Sequence, residues 1–183
     1  MARPDLSGTI LDGRYRLDER LAEGGLGVVS RGVSLSVDRA VAVKLMHASL
    51  PGEMAARERF QREAKLMALV DHPHCVSVID SGLVNGKPYL VMELVRGRSL
   101  AALLAEQQQV DIARATDIMC QILSGLAYAH EQGIIHRDIK PANIMITPKA
   151  PLRVPVRLLD FGLARLRESN ARLSQGLAVG TPS

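Results

Sequence analysis

The chain has 183 residues, 47% hydrophobic and 23% charged, a balance that excludes a disordered chain and suffices for a buried core. No apolar run approaches the roughly 18 residues of a spanning helix, and Met1-Ala2-Arg3-Pro4-Asp5 lacks the apolar centre of a secretory signal, so a cytoplasmic protein without a membrane segment is expected. The net charge of +4 comes from scattered basic residues, and aromatics at 3% leave little to stack on bases, which argues against a nucleic-acid partner.

Residues 1–13 carry Pro4, Gly8 and Gly13 without periodicity and read as a flexible arm. Three Val-rich runs bounded by turn residues follow, Tyr15–Leu21, Val28–Val33 and Ala40–Met46, and predict antiparallel strands. Ala56, Phe60, Glu63, Met67 and Val70 then recur at helical spacing. A carboxylate on that inward stripe requires a cation, because an unpaired buried charge is costly. The helix is expected to end before His72-Pro73.

Strands at Val76–Asp80 and Tyr89–Glu93, linked by the hairpin signal Asn85-Gly86, complete a five-stranded sheet. Beyond Gly97 the pattern turns helical. Ser99 caps Leu100–Glu106, and Asp111 caps a longer helix with the stripe Ile112, Ala115, Met119, Ile122, Leu126 and Ala129, stopped at Gly133. A polar loop, a strand at Ile144–Thr147, a Pro-rich connector and a strand at Val156–Leu159 follow. Cys75 and Cys120 have apolar neighbours and no metal-ligand spacing, and read as buried free thiols. Two lobes emerge, one β-rich and one helical, with no internal repeat.

Ala22-Glu23-Gly24-Gly25-Leu26-Gly27-Val28-Val29 is a Gly-rich hairpin tip whose N–H groups can close over phosphates, though alone it is equally a flexible turn. Lys44 lies in the apolar strand Ala42-Val43-Lys44, and Glu63 on the next helix is the carboxylate to hold it; a structural ion pair is the plainer alternative. His136-Arg137-Asp138-Ile139-Lys140-Pro141-Ala142-Asn143 is followed seventeen residues later by Asp160-Phe161-Gly162. On these motifs the chain, from about Tyr15 to its last residue, resembles the protein kinase family, and most closely the bacterial serine/threonine kinases of eukaryotic type.

The resemblance implies an α+β, two-lobe kinase fold: an arm at 1–13, an N-lobe at 14–95 with a five-stranded antiparallel sheet and one helix, and a partial C-lobe at 96–183 ending in the activation segment. It implies transfer of the ATP γ-phosphate to Ser/Thr hydroxyls, with Mg²⁺, or Mn²⁺ in its place, as the metal. Asp138 would orient and deprotonate the hydroxyl, Lys140 would sit by the transferring phosphate, and Lys44 paired with Glu63 would hold the α- and β-phosphates. Asn143 and Asp160 would be the metal ligands.

Ala22, Gly24, Gly25, Gly27 and Val29 correspond to the phosphate loop, with Ala22 departing from the family's first glycine. Ala42, Met92, Met145 and the backbone of Glu93 and Val95 correspond to the adenine site. Met67, Val78, His136 and Phe161 fall where the family stacks its regulatory spine. Arg137 implies a phosphorylated activation segment, with Ser174, Ser169 and Thr181 as candidate acceptors for autophosphorylation.

The chain stops at Thr181-Pro182-Ser183, where the family continues into an Ala-Pro-Glu motif and more helices. A truncated domain with uncovered apolar surface on the helix Ile112–Gln132 is therefore expected. An ATP-binding but catalytically inactive fragment or regulatory module is the alternative to an enzyme. A small-molecule phosphotransferase of related fold is disfavoured by Lys140 and Gly180-Thr181-Pro182.

Overall fold

The computed structural model describes residues 6–24, 27–47, 54–107, 109–147 and 156–161, without the side chains of 54–57 and 59. Gly25, Ser169, Ser174 and Thr181, and the side chain of Ala56, lie outside the described residues.

The first lobe is a six-stranded antiparallel sheet in the order β1-β2-β3-β4-β6-β5. Its strands are β1 (Ile10–Leu11), β2 (Tyr15–Gly24), β3 (Gly27–Ser34), β4 (Arg39–Met46), β5 (Val78–Val84) and β6 (Lys87–Glu93), with helix α1 (Met54–Ala68) between β4 and β5. The sixth strand corrects the expectation of a flexible arm for residues 6–13. Ile10 pairs with Arg16 and Leu11 with Tyr15, and Leu11 is 1% exposed. One buried leucine in a polar, Gly-rich stretch carries no period, so the sequence hid it.

Strand alternation decides which residues face the interior of each side. Val41 and Val43 join Leu11, Leu17, Tyr89 and Val91 in one apolar cluster. Ala42, Lys44 and Met46 therefore point to the opposite face, toward α1 and the second lobe. Asn85 and Gly86 both take positive φ, 49° and 75°, as the β5–β6 hairpin with Val84 opposite Lys87 requires.

The second lobe contains α2 (Leu100–Gln107), α3 (Ile112–Glu131) and a three-stranded sheet of β7 (Arg98–Ser99), β8 (Ile144–Ile146) and β9 (Val156–Leu158). Ser99 caps α2 through a bond from the Ala102 N–H, and Asp111 caps α3 through one from the Arg114 N–H. Gly133, just past the last turn of α3, takes φ 72°.

The buried face of α3 is Ile118, Gln121, Ile122, Gly125 and Ala129. Ile112 and Met119, expected on that face, are 86% and 50% exposed. The stripe is displaced because the closest approach uses small and polar residues. A Cβ on Gly125 would lie 3.1 Å from Cys75 Sγ, and Gln121 Oε1 accepts the Val156 N–H at 2.9 Å. Cys75 is buried as expected, whereas Cys120 faces outward on α3.

The segment 69–77 between α1 and β5 is fixed to β9: Val76 N–H donates to the Leu158 carbonyl and Leu158 N–H to that of His74. Val70 and Cys75 thereby enter the second lobe's core with Leu103, Ile122, Ile144 and Leu158. No helix among the described residues is long and apolar enough to cross a membrane.

Candidate active site

The loop after α3 is organised by a buried imidazole. His136 is 1% exposed, and burial holds its pKa below the ordinary value. Its Nε2 lies 2.8 Å from the Leu159 carbonyl, and its Nδ1 accepts the Asp138 N–H at 3.3 Å. A neutral ring protonated at Nε2 satisfies both partners, one as donor and one as acceptor. His136 thus ties Asp138 to the residues leaving β9, and its ring meets Phe161 at 4.6 Å.

Asp138 Oδ2 accepts from Lys140 Nζ at 2.7 Å and from Asn143 Nδ2 at 3.0 Å. The Asp138 pKa lies below the usual carboxylate value, chiefly through the Lys140 bond, which with Asn143 outweighs the opposing desolvation. The carboxylate is 39% exposed, so it is ionised and reachable from solvent. Asn143 stands in the 3-10 turn Pro141–Asn143, and Nδ2 also donates to the Asp138 carbonyl at 2.8 Å. Among the described residues its amide oxygen is left for another partner.

Across the cleft, Lys44 sits in β4 between Val29 of β3 and Leu90 of β6, and is 5% exposed. Its Nζ donates to Asp160 Oδ2 at 2.6 Å. That contact corrects the expected Lys44–Glu63 pair: among the described residues the ammonium pairs with the carboxylate at the end of β9. Glu63 is only 9% exposed on α1 and is not without interactions of its own. Burial of Glu63 follows from its spacing with Phe60 and Met67, whereas the lysine's choice between two carboxylates depends on how the lobes meet. Arg137 and Asp160 take φ of 65° and 62°, left-handed conformations uncommon for such residues.

The apolar part of the cleft is the cluster of Ala42, Val76 and Met92, against which Val29, Val78, Leu94, Val95 and Leu159 pack. Val76 and Leu159 were absent from the sequence-derived set, since an aliphatic at the end of a predicted strand does not say which cleft it will line. Met145 is half-buried on β8, opposite Arg157 and Ser99. Met67 belongs to the first lobe's cluster with Phe60 and Leu90, while Phe161 belongs to the second lobe's core.

Gly24 and Gly27 close the β2–β3 hairpin opposite one another, and Ala22 pairs with Val29. A Cβ on Gly27 would lie 2.2 Å from the Leu45 carbonyl oxygen, so close strand approach demands glycine there. Among the described residues, none beyond its chain neighbours lies within 4 Å of a Cβ built on Gly24.

A β-rich lobe thus presents a buried lysine to a carboxylate, above a loop holding an ionised, solvent-reachable aspartate, the arrangement of a two-lobed α+β fold with its polar side chains at the junction of the lobes. The family model described as the protein kinase domain matches residues 15–183. The chain is 42% identical over 185 residues to the serine/threonine-protein kinase pkn2 of Myxococcus xanthus, covering 100% of this chain and 22% of that protein. It is 36% identical over 179 residues to serine/threonine-protein kinase PknL of Mycobacterium tuberculosis, covering 98% of this chain and 44% of the relative. The crystal structure of the M. tuberculosis PknI kinase domain superposes with a TM-score of 0.74 at 26% identity, over 86% of this chain and 62% of that one. The chain belongs to the protein kinase family. It spans less than half the length of these two curated relatives.

Proposed function

We propose that the protein transfers the γ-phosphate of ATP to serine and threonine hydroxyls of proteins, with Asp138 as the base that orients the hydroxyl and accepts its proton. The observation that carries this is the Asp138 carboxylate, kept ionised by Lys140 and Asn143 yet open to solvent. Lys140 presents its ammonium where charge on the transferring phosphate develops. The Ser/Thr preference draws on Lys140 and on relatives named as serine/threonine kinases.

Adenine is placed between Val29, Ala42 and Met145, with Met92 behind it and the backbone of Glu93 and Val95 along its edge. The Gly24–Gly27 hairpin covers the phosphates, where the open space at Gly24 leaves the backbone approachable. Lys44 exchanges Asp160 for the α- and β-phosphates.

Asn143 and Asp160 suit a hard divalent cation. The Asn143 amide nitrogen is committed to Asp138, leaving an oxygen, and Asp160 supplies a carboxylate beside the cleft. No cluster of three or more His, Cys, Asp or Glu side chains stands ready among the described residues, so such a cation would share its coordination with phosphate oxygens. When bound, Mg²⁺, or Mn²⁺ in its place, neutralises the triphosphate.

The second reading, an ATP-binding module without catalysis, has one observation behind it: Lys44 pairs with Asp160 instead of Glu63. Phosphate transfer from Mg·ATP to itself and to a generic Ser/Thr substrate, compared between the full chain and Asp138→Asn, separates the two. Loss of a proton-transfer group predicts a fall of about a hundredfold or more with nucleotide binding retained. Folded, ATP-binding protein that transfers nothing would leave only the module.

A further inference from the structure

Arg157 plays no part in the site described above, yet it is where three separate segments meet. It lies in the middle of β9, opposite Met145 in the β8–β9 ladder. Nη1 donates to the Pro73 carbonyl at 2.7 Å, in the segment between α1 and β5. The same guanidinium pairs with the carboxylate of Glu93 at the end of β6. Glu93 is in turn joined to Ser77 twice: Oε1 accepts the Ser77 N–H at 3.0 Å, and its own N–H donates to the Ser77 carbonyl at 3.1 Å. The two charged side chains are only 20% and 25% exposed, so solvent screens the pair partially.

We propose that Arg157 is a positioning residue for the nucleotide: with Glu93 it forms a clasp that fixes the hinge backbone against β9. This rests on the assignment of residues 93–95 to the adenine edge. The β4–β6 ladder ends at the Val41–Glu93 pair, and the next strand begins at Arg98. Beyond it, the hinge start is oriented by what Glu93 grips together with the packing of Leu94 and Val95 on the apolar cluster. Arginine suits the place because its planar fork serves a carboxylate and a carbonyl together, which a point charge does less well.

Without the clasp the hinge samples orientations that cannot meet adenine, and apparent affinity falls by the fraction of time spent in them. The chemical residues are untouched once nucleotide is seated.

The experiment measures nucleotide binding by titration, and KM for ATP and kcat, in the full chain, Arg157→Met, Arg157→Lys and Ala42→Trp. Arg157→Met should raise both Kd and KM for ATP about tenfold, the scale of one lost charge-assisted contact, with kcat within about twofold. Arg157→Lys should recover most of the loss. Ala42→Trp fills the adenine pocket and should abolish binding.

If Ala42→Trp binds ATP normally, the hinge assignment fails and the clasp with it. If Ala42→Trp loses ATP while Arg157→Met keeps the parental Kd and KM, or changes kcat alone, the clasp is overturned and the hinge stands. Should Arg157→Met fail to fold by thermal melting, Arg157→Gln decides in the same way. Its amide can still donate to the Pro73 carbonyl while the charge that Glu93 grips is removed.

Discussion

His136 donates to one carbonyl, accepts from one N–H and meets Phe161 in a tilted ring contact, so a single neutral ring holds the aspartate loop to the exit of β9. Because burial lowers its pKa, the unfolded chain, with a histidine near 6.5, binds the proton more readily than the folded one. Its contribution to stability is complete above the unfolded value and is lost as pH falls through the folded one. The thermal midpoint should therefore drop between about pH 7.5 and about pH 5.5. His136→Phe should lower the midpoint at the upper pH, since the Leu159 carbonyl and Asp138 N–H lose their partner, but should flatten the pH slope. An equally steep slope in the variant would assign it to other groups, such as His72, whose pKa is also lowered by burial.

At this scale the grouping of Asp138, Lys140 and Asn143 was legible, because they stand in one short loop, and the structure joins their side chains. The partner of Lys44 and the clasp of Arg157 were not. Both join residues more than sixty positions apart, and a charge pattern does not say which opposite charge will be near.

Among the elements, α3 shows how a helical period can be read and still be misplaced. Ile122 and Ala129 are buried as the stripe predicts, but Gln121 and Gly125 occupy the centre of the contact because β9 and Cys75 approach too closely for aliphatic side chains. Ile122→Ala should cost about 2–5 kcal/mol, whereas Met119→Ala should stay within about 0.5 kcal/mol, both measurable by denaturant unfolding. Reversed magnitudes would restore the stripe read from sequence.

The hairpin glycines give a second contrast. Gly27→Ala drives a methyl into the Leu45 carbonyl and should destabilise the sheet by about 1–3 kcal/mol, the usual cost of overpacking. Gly24→Ala meets no atom of the described residues beyond its chain neighbours and should leave the melting temperature unchanged while raising KM for ATP. Equal melting temperatures for the two variants would remove the steric distinction. The Asn85-Gly86 turn and both helix N-caps were legible because each is a local contract among neighbouring residues; β1, only two residues long, offered no pattern to read.

For the molecule as a whole, the switch from Val-rich runs to capped helices revealed two lobes, but not the contact that closes them. Lys44 comes from the sheet of one lobe and Asp160 from the end of β9 in the other, and their 2.6 Å contact spans the cleft. An ammonium that is 6% exposed cannot be left unpaired cheaply, so it stays on Asp160 until another anion arrives. In the proposed reaction a triphosphate would supply that anion, and a divalent cation would compensate Asp160 in its turn. Nucleotide and metal would thereby be coupled through one ion pair.

At Mg·ATP about a hundredfold above Kd, binding should stabilise the folded state by about 2.7 kcal/mol, read as a rise in melting temperature. Lys44→Met should fold, because the Asp160 carboxylate it abandons is 20% exposed and can hydrate, but should lose most of that rise. Asp160→Asn should lose the metal-dependent part while keeping a smaller response to ATP alone. If Lys44→Met retained the whole Mg·ATP shift, the lysine would be a structural tie between the lobes, and its exchange of Asp160 for phosphate would have to be abandoned.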